Sequence, residues 1–281
     1  MSSKVGSVGE KTEISRAMKT RTLLAIGILT SMVFVQCALA EVTIFTDGFE
    51  LGTVNYWTSD GTPLKIDNTK SIFPAIGAYS ALMDYSADRM HRNIIADNGG
   101  SEVDGYSTLS AWIYDDTATR GYVQALGYTG TGLPNGGTVA DGTLAQILAI
   151  GKYNSVTLLG DVYDPTKYQA RVLYGANAGW FNLNAPGAPS RSAGWHEFTI
   201  AREGNDTTID FYVDGILGRT IAGATPQTWD TITMGFGSGT SSGNTWFDGI
   251  VVTVPEPSTL TLSLLGGLGL AVAAISRRRK A

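Results

Sequence analysis

Two histidines, His91 and His196, and one cysteine, Cys37, are the whole supply of soft ligands and thiol nucleophiles in this 281-residue chain. They are too few for a histidine-based zinc cluster or a thiolate zinc site. Gly239-Thr240-Ser241-Ser242-Gly243 spells the Gly-x-Ser-x-Gly string of serine hydrolases. That string works between a strand and a helix, whereas here it falls in a Ser/Gly loop between strands. Oxygen donors are plentiful: residues 41–254 carry 17 Asp and 5 Glu, a supply that suits calcium. Sugar binding is the other chemistry within reach, because it needs an aromatic face beside hydrogen-bonding groups. Tyr128, Tyr153, Trp180 and Phe181 stand in Gly- and Asn-rich stretches and are the candidates for it.

The elements that must position these groups are strands. Residues 106–114 alternate so that Leu109, Ala111 and Ile113 share one face. Residues 195–202 do the same with Phe198 and Ile200, and residues 208–213 align Ile209, Phe211 and Val213. Between them Asn205-Asp206 makes a turn. Asp214-Gly215 is a strong two-residue hairpin signal, with residues 216–221 as the returning strand and 247–253 as the final one. Nothing between residues 41 and 254 has convincing helical periodicity. Many short strands punctuated by Gly, Asn, Asp and Ser predict an all-β sandwich. The pattern is β throughout residues 41–254, but the stretch 121–184 matches nothing that can be placed.

Both ends look like processing signals. Met18-Lys19-Thr20-Arg21 is basic, residues 23–35 are apolar, and Ala38-Leu39-Ala40 is small at the positions that signal peptidase inspects. This is a secretory leader with cleavage expected after Ala40, and Met18 is expected to be the true start. A lipoprotein reading through Cys37 fails on Gln36, where a small residue is needed. Removing the leader takes away Cys37, so no disulfide is available to the domain that follows. Residues 41–254 then hold 11 Lys and Arg against 22 Asp and Glu, a formal charge of −11. Such a surface repels polyanions, so nucleic acid is not an expected partner.

At the other end, Pro255-Glu256-Pro257 breaks the last strand, and residues 260–275 form an apolar run ahead of Arg277-Arg278-Arg279-Lys280. As a helix that run is about 24 Å long, just short of a hydrocarbon core about 30 Å thick. Gly266, Gly267 and Gly269 soften it, and the basic cluster would stay cytoplasmic. This order of features resembles the PEP-CTERM sorting signal over residues 254–281. The resemblance implies that Pro255, Glu256 and Pro257 are read by an exosortase and that Arg277, Arg278 and Arg279 form the basic stop. It also implies transient inner-membrane insertion, removal of the tail, and delivery to the cell surface or extracellular matrix of a Gram-negative bacterium. Such proteins usually accompany exopolysaccharide production.

The middle segment has a resemblance of its own. The stretch from Tyr106 to Trp112, Gly194-Trp195-His196-Glu197-Phe198 and Asp210-Phe211-Tyr212-Val213-Asp214-Gly215 resemble laminin-G-like domains of the concanavalin A-like jelly roll. Asp47-Gly48-Phe49-Glu50 and Phe247-Asp248-Gly249-Ile250-Val251 suit the first and last strands of that fold, which neighbour each other. A galactose-binding-like sandwich is the alternative. The expected plan is therefore a signal peptide at 1–40, a two-sheet antiparallel jelly roll at 41–254, and a sorting signal at 255–281 with a transmembrane helix at 260–275.

That fold hosts lectins, adhesion modules and glycoside hydrolases, so function must come from a site. A retaining glycosidase of this type needs two carboxylates about 5 Å apart. The nearest string to its Glu-x-Asp-x-x-Glu motif is Glu102-Val103-Asp104, and Ser107 stands where the second Glu belongs. No catalytic residue is assigned and no enzyme is expected. The resemblance points to a structural calcium ion at Asp47, Glu50 and Asp248, although Asp47 and Asp248 also precede glycines as turn caps do. The expectation is a carbohydrate-binding or adhesive module acting on extracellular polysaccharide; the alternative is a structural spacer without a small ligand.

Overall fold

The computed structural model describes residues 41–59, 62–72, 77–84, 89–103, 107–116, 120–129, 143–152, 161–174, 177–202, 207–222, 228–235 and 244–255. Fifteen strands run through them: β1 (Glu41–Asp47), β2 (Thr58–Ser59), β3 (Lys65–Asp67), β4 (Ser80–Met83), β5 (Arg89–Asn93), β6 (Thr108–Asp115), β7 (Gly121–Thr129) and β8 (Thr143–Lys152). They continue with β9 (Gln169–Tyr174), β10 (Asn177–Asn182), β11 (Gly194–Ala201), β12 (Ile209–Val213), β13 (Ile216–Ile221), β14 (Thr231–Gly235) and β15 (Thr245–Pro255). The expected leader, the apolar run at 260–275 and its basic stop lie outside the described residues.

Two antiparallel sheets result. One has the order β13-β12-β11-β6-β15-β4-β3, with β1 also on β15; the other has the order β10-β9-β8-β7-β14-β5-β2. One side of the long strand β15 pairs with β6, and the other is shared end to end by β4 and β1. First and last strands are thus neighbours, and the architecture is the concanavalin A-like jelly roll. Residues Glu41–Pro255 make up one compact unit.

Period-two alternation explains the layering. In β6 the buried positions are Leu109, Ala111, Ile113 and Asp115, while Ser110, Trp112 and Tyr114 on the other face are half-buried. Strand β12 buries Ile209, Phe211 and Val213, and Asp214 (φ 53°) with Gly215 (φ 72°) closes the β12–β13 hairpin in the left-handed region that such turns require. Between the sheets these side chains meet Val123, Ala125, Leu148, Ile150, Ala170, Val172 and Phe181 from the seven-stranded sheet in one core.

Residues 121–184, unplaced from the sequence, supply four adjacent strands of that sheet, β7 to β10. Their pattern was illegible because the sheet is buried on both sides. Tyr122, Leu126, Tyr128, Ile147, Ala149 and Trp180 form a second apolar cluster on the face turned away from the core. Ile147-Leu148-Ala149-Ile150 accordingly reads as an unbroken apolar run, not an alternation.

One end of the core is closed by ions. The inward row of β6 ends at Asp115 and that of β8 at Lys152, and both side chains are fully buried. Arg191 grips Asp115 through two bonds of 3.0 Å, and Lys152 Nζ lies 3.0 Å from Asp116 and 3.7 Å from Asp115. Burial pushes the Lys152 ammonium pKa down, and the two aspartates partly offset it. The cluster links β6 in one sheet to β8 in the other.

Candidate functional site

The carboxylates expected to hold calcium lie where β1 ends and β15 passes. Asp47 Oδ1 accepts the Phe49 amide at 2.8 Å, closing a turn that holds Phe49 at φ 59°, and its Oδ2 accepts Trp57 Nε1 at 2.8 Å. Glu50 accepts the amides of Ala78 (2.8 Å) and Tyr79 (3.4 Å). Asp248 accepts those of Gly249 (2.7 Å) and Ile72 (3.1 Å). All six carboxylate oxygens therefore have an N–H donor. Among the described residues no group of three His, Cys, Asp or Glu is placed to hold a metal ion. These bonds close turns and bring the three carboxylates within electrostatic reach of one another. Burial pushes the Asp248 carboxyl up to about 6, and the negative charges of Glu50 and Asp47 add to the shift, while the two amides oppose it.

His196, on β11, links three segments. Its Nδ1 lies 2.7 Å from Asp214 Oδ2, and its Nε2 lies 3.1 Å from both Oγ and the carbonyl oxygen of Ser192. The series Ser192, His196, Asp214 has the connectivity of a hydrolase triad. Here Nε2 is shared with a carbonyl, and Asp214 Oδ1 accepts the Glu197 amide at 2.9 Å. The group staples β11 to the β12–β13 hairpin. Of the glycosidase-like string, Glu102 accepts a hydrogen bond from Thr228 Oγ1, and Asp104 lies outside the described residues. Gly239 to Gly243 lie outside them too.

The four aromatic candidates separate. Phe181 is a correction: its ring is fully buried between the sheets, edge-on to Phe211 at 5.3 Å, so it builds the core and cannot form a platform. Its neighbour Trp180 points the opposite way, because successive strand residues face opposite sides. Trp180 packs edge-on to Tyr122 at 5.4 Å, in the outer cluster that also holds Tyr128. Tyr153 lies outside the described residues.

The outer face of the seven-stranded sheet also carries polar groups that the sequence did not single out. Register partners run straight across it: Trp180 with Arg171, then Ala149, Gln124, Thr233, His91 and Thr58. The middle of this row is a buried floor, with Gln124 at 7% and His91 at 1% exposure. Arg171 and Leu173 on one flank, and Arg89 and Asn93 on the other, are half-buried. Thr233 Oγ1 donates to Gln124 at 2.8 Å, and in the next row Gln169 Nε2 donates to Asn182 at 3.1 Å. Gln169 Oε1 and Arg171 Nε are buried with no hydrogen-bond partner. The only sequence signal for this row was the identity of Trp180, since polar groups four strands apart are joined solely by strand order.

The outer face of the eight-stranded sheet has aromatics as well. Tyr114 sits edge-on to Trp195 (5.6 Å) and to Trp246 (5.5 Å), and Lys70 Nζ lies 4.4 Å above its ring. These rings are occupied by one another and by Lys70.

Strand β15 ends at Pro255, and a family model, the PEP-CTERM protein-sorting motif, matches residues 253–280. The chain carries a PEP-CTERM motif. It marks an exported protein that an exosortase processes. The motif's first residues, Thr253, Val254 and Pro255, are paired in the last strand, whereas Glu256 and Pro257 lie outside the described residues. No curated protein matches the chain. Solved structures similar to it include the T. cruzi calreticulin globular domain, at 10% identity and TM-score 0.49, covering 85% of this chain and 99% of that one. The Emp47p carbohydrate recognition domain is similar at 9% identity and TM-score 0.43, covering 78% and 98%. A Bacillus subtilis protein with a galectin-like fold is similar at 10% and 0.46, covering 76% and 98%.

Proposed function

We propose that the sandwich is a lectin-like carbohydrate-binding or adhesive module, delivered to the cell surface or extracellular matrix of a Gram-negative bacterium, whose binding face is the outer face of the seven-stranded sheet. The observation that carries this reading is the row from Trp180 to His91, with Gln169 Oε1 and Arg171 Nε unpartnered beside it. An unmet buried polar atom costs about 1–3 kcal/mol. A hydroxyl-rich ligand supplies both donors and acceptors to such atoms, and its apolar ring faces suit the neighbouring aromatics. The carboxylate pair of a glycosidase has no counterpart in this row. A polysaccharide array probed with the full chain in detergent tests the proposal. The expected result is retention on at least one polysaccharide, weakened about tenfold by Trp180→Ala and unchanged by Trp195→Ala on the other sheet.

A second reading is favoured by one observation: Tyr122, Tyr128 and Trp180 are only 5, 7 and 8% exposed, as purely structural rings are. In that case the sandwich is a spacer or assembly unit. A blank array with a correctly folded chain would select it.

A further inference from the structure

The side chain of Lys152 is wholly buried, and it lies between two carboxyl groups rather than one. Its Nζ is 3.0 Å from Asp116 Oδ1 and 3.7 Å from Asp115 Oδ1. The two carboxyls are not equivalent. Asp115 is wholly buried and gripped by Arg191 through two bonds of 3.0 Å, whereas the Asp116 side chain is 25% exposed. Asp115 is therefore committed to Arg191, and Asp116 is the carboxyl nearer the amine. Burial drives Lys152 toward its neutral, nucleophilic form; the Arg191 charge pushes the same way, against the two aspartates. Lys65 and Asp84 also pair, but their side chains are 61% and 30% exposed, so water supports both charges there. Residues 41–254 contain no cysteine, so a covalent tie within this domain has to come from other side chains.

We infer that Lys152 and Asp116 join in an isopeptide bond that ties the end of β8 to the end of β6, with Asp115 carrying the protons. The inference goes beyond the carbohydrate reading and does not depend on it. A proton passes from the Lys152 ammonium to Asp115, the freed amine attacks Cγ of Asp116, and one C–O bond of Asp116 breaks. Two of the three ammonium protons leave on that oxygen as water, and the third stays on the amide nitrogen. One ammonium and one carboxylate are consumed together, so charge balances and nothing is oxidised or reduced. Two effects favour the amide over the ions. Groups held in fixed contact react as if at about 10⁵–10⁸ M, and a neutral amide removes two charges whose burial is costly. The partial exposure of Asp116 gives the water a way out. The joined residues are 36 positions apart and lie on opposite sheets, so the bond closes a loop across the sandwich that no reductant opens.

The test is mass spectrometry of the full chain, purified in detergent and then denatured. Once both ends are sequenced, the protein should be one water lighter than its residues sum to. Digestion should yield a branched peptide joining Lys152 to Asp116 that survives reductant and hydroxylamine. Lys152→Met and Asp116→Ala should each restore the full mass, while Lys65→Met keeps the bond. Asp115→Asn should lower the bonded fraction in freshly made protein about tenfold or more, because it removes the proton carrier. Lys152→Met and variants of Asp115 all lack the bond, so stability differences among them report the ion contacts alone. A wild-type chain of full mass overturns the inference. So does a water loss that maps to an Asp-Gly pair such as Asp248-Gly249, where hydroxylamine cleaves a cyclic imide. A branch at Asp115 overturns the choice of carboxyl, and an unchanged bonded fraction in Asp115→Asn overturns its role as carrier. The wild-type mass and peptide map decide the bond by themselves, even where a variant fails to fold.

Discussion

Glu41 and Pro255 are register partners, the first residue of β1 opposite the last residue of β15. Their Cα atoms are thus about 5 Å apart. The expected leader cut precedes one and the sorting motif follows the other, so both processing points leave the sandwich side by side. Cutting before Glu41 and beyond Pro255 removes no pair of the β1–β15 ladder. Protein recovered from its native host should therefore begin at Glu41 and end shortly after Pro255, and intact-mass measurement with terminal sequencing checks both ends. A mature chain that keeps residues 260–275 would contradict exosortase processing.

Asp248 gives the fold a pH dependence of definite sign. The unfolded carboxyl releases its proton near 3.8 and the folded one near 6. The protonated form is thus favoured by folding: its contribution is complete below pH 3.8 and is lost as pH rises through 6. The loss is at most about 3 kcal/mol. Between pH 4 and pH 7.5 the wild-type melting midpoint should fall more steeply than that of Asp248→Asn. Calcium added at pH 7.5, with an EDTA control, should leave the midpoint unchanged, because the carboxylate oxygens already have donors. A calcium-dependent rise would establish an ion site at Asp47, Glu50 and Asp248.

The buried ion cluster predicts an unequal pair of mutants. Asp115→Ala strands Lys152 and the partly buried Arg191 without their shared carboxylate and should cost about 3–5 kcal/mol in urea unfolding. Lys152→Met leaves the two-bond Arg191–Asp115 contact intact and should cost clearly less. Equal losses would show that the lysine, not the shared aspartate, organises this end of the core.

Asp214 combines a left-handed backbone with two side-chain bonds, to His196 and to the Glu197 amide. Asp214→Asn keeps the backbone preference and one acceptor, so a loss of about 1 kcal/mol is expected. Asp214→Ala loses both bonds and adds backbone strain, for about 2–4 kcal/mol. Chemical denaturation of the two variants checks the order.

The sequence alone determined the sorting motif and the strands β6, β11, β12, β13 and β15 of the eight-stranded sheet. Leu109, Ala111 and Ile113, and Ile209, Phe211 and Val213, alternate because their strands have one face on the core and one partly in water. The Asp214-Gly215 turn was legible because few residues tolerate positive φ. The PEP-CTERM motif was legible because it is contiguous. Tertiary structure alone decided the rest. Strands β7 to β10 carry apolar side chains on both faces, which erases the alternation that would have announced them. Phe181 and Trp180 are adjacent in sequence and similar in chemistry, yet strand phase sends one into the core and the other to the outer face. Arg171, Gln124 and His91 lie on three separate strands, and only the pairing order of the sheet places them in one row. Local sequence encodes which way a chain bends; it does not encode which distant strand comes to lie beside it.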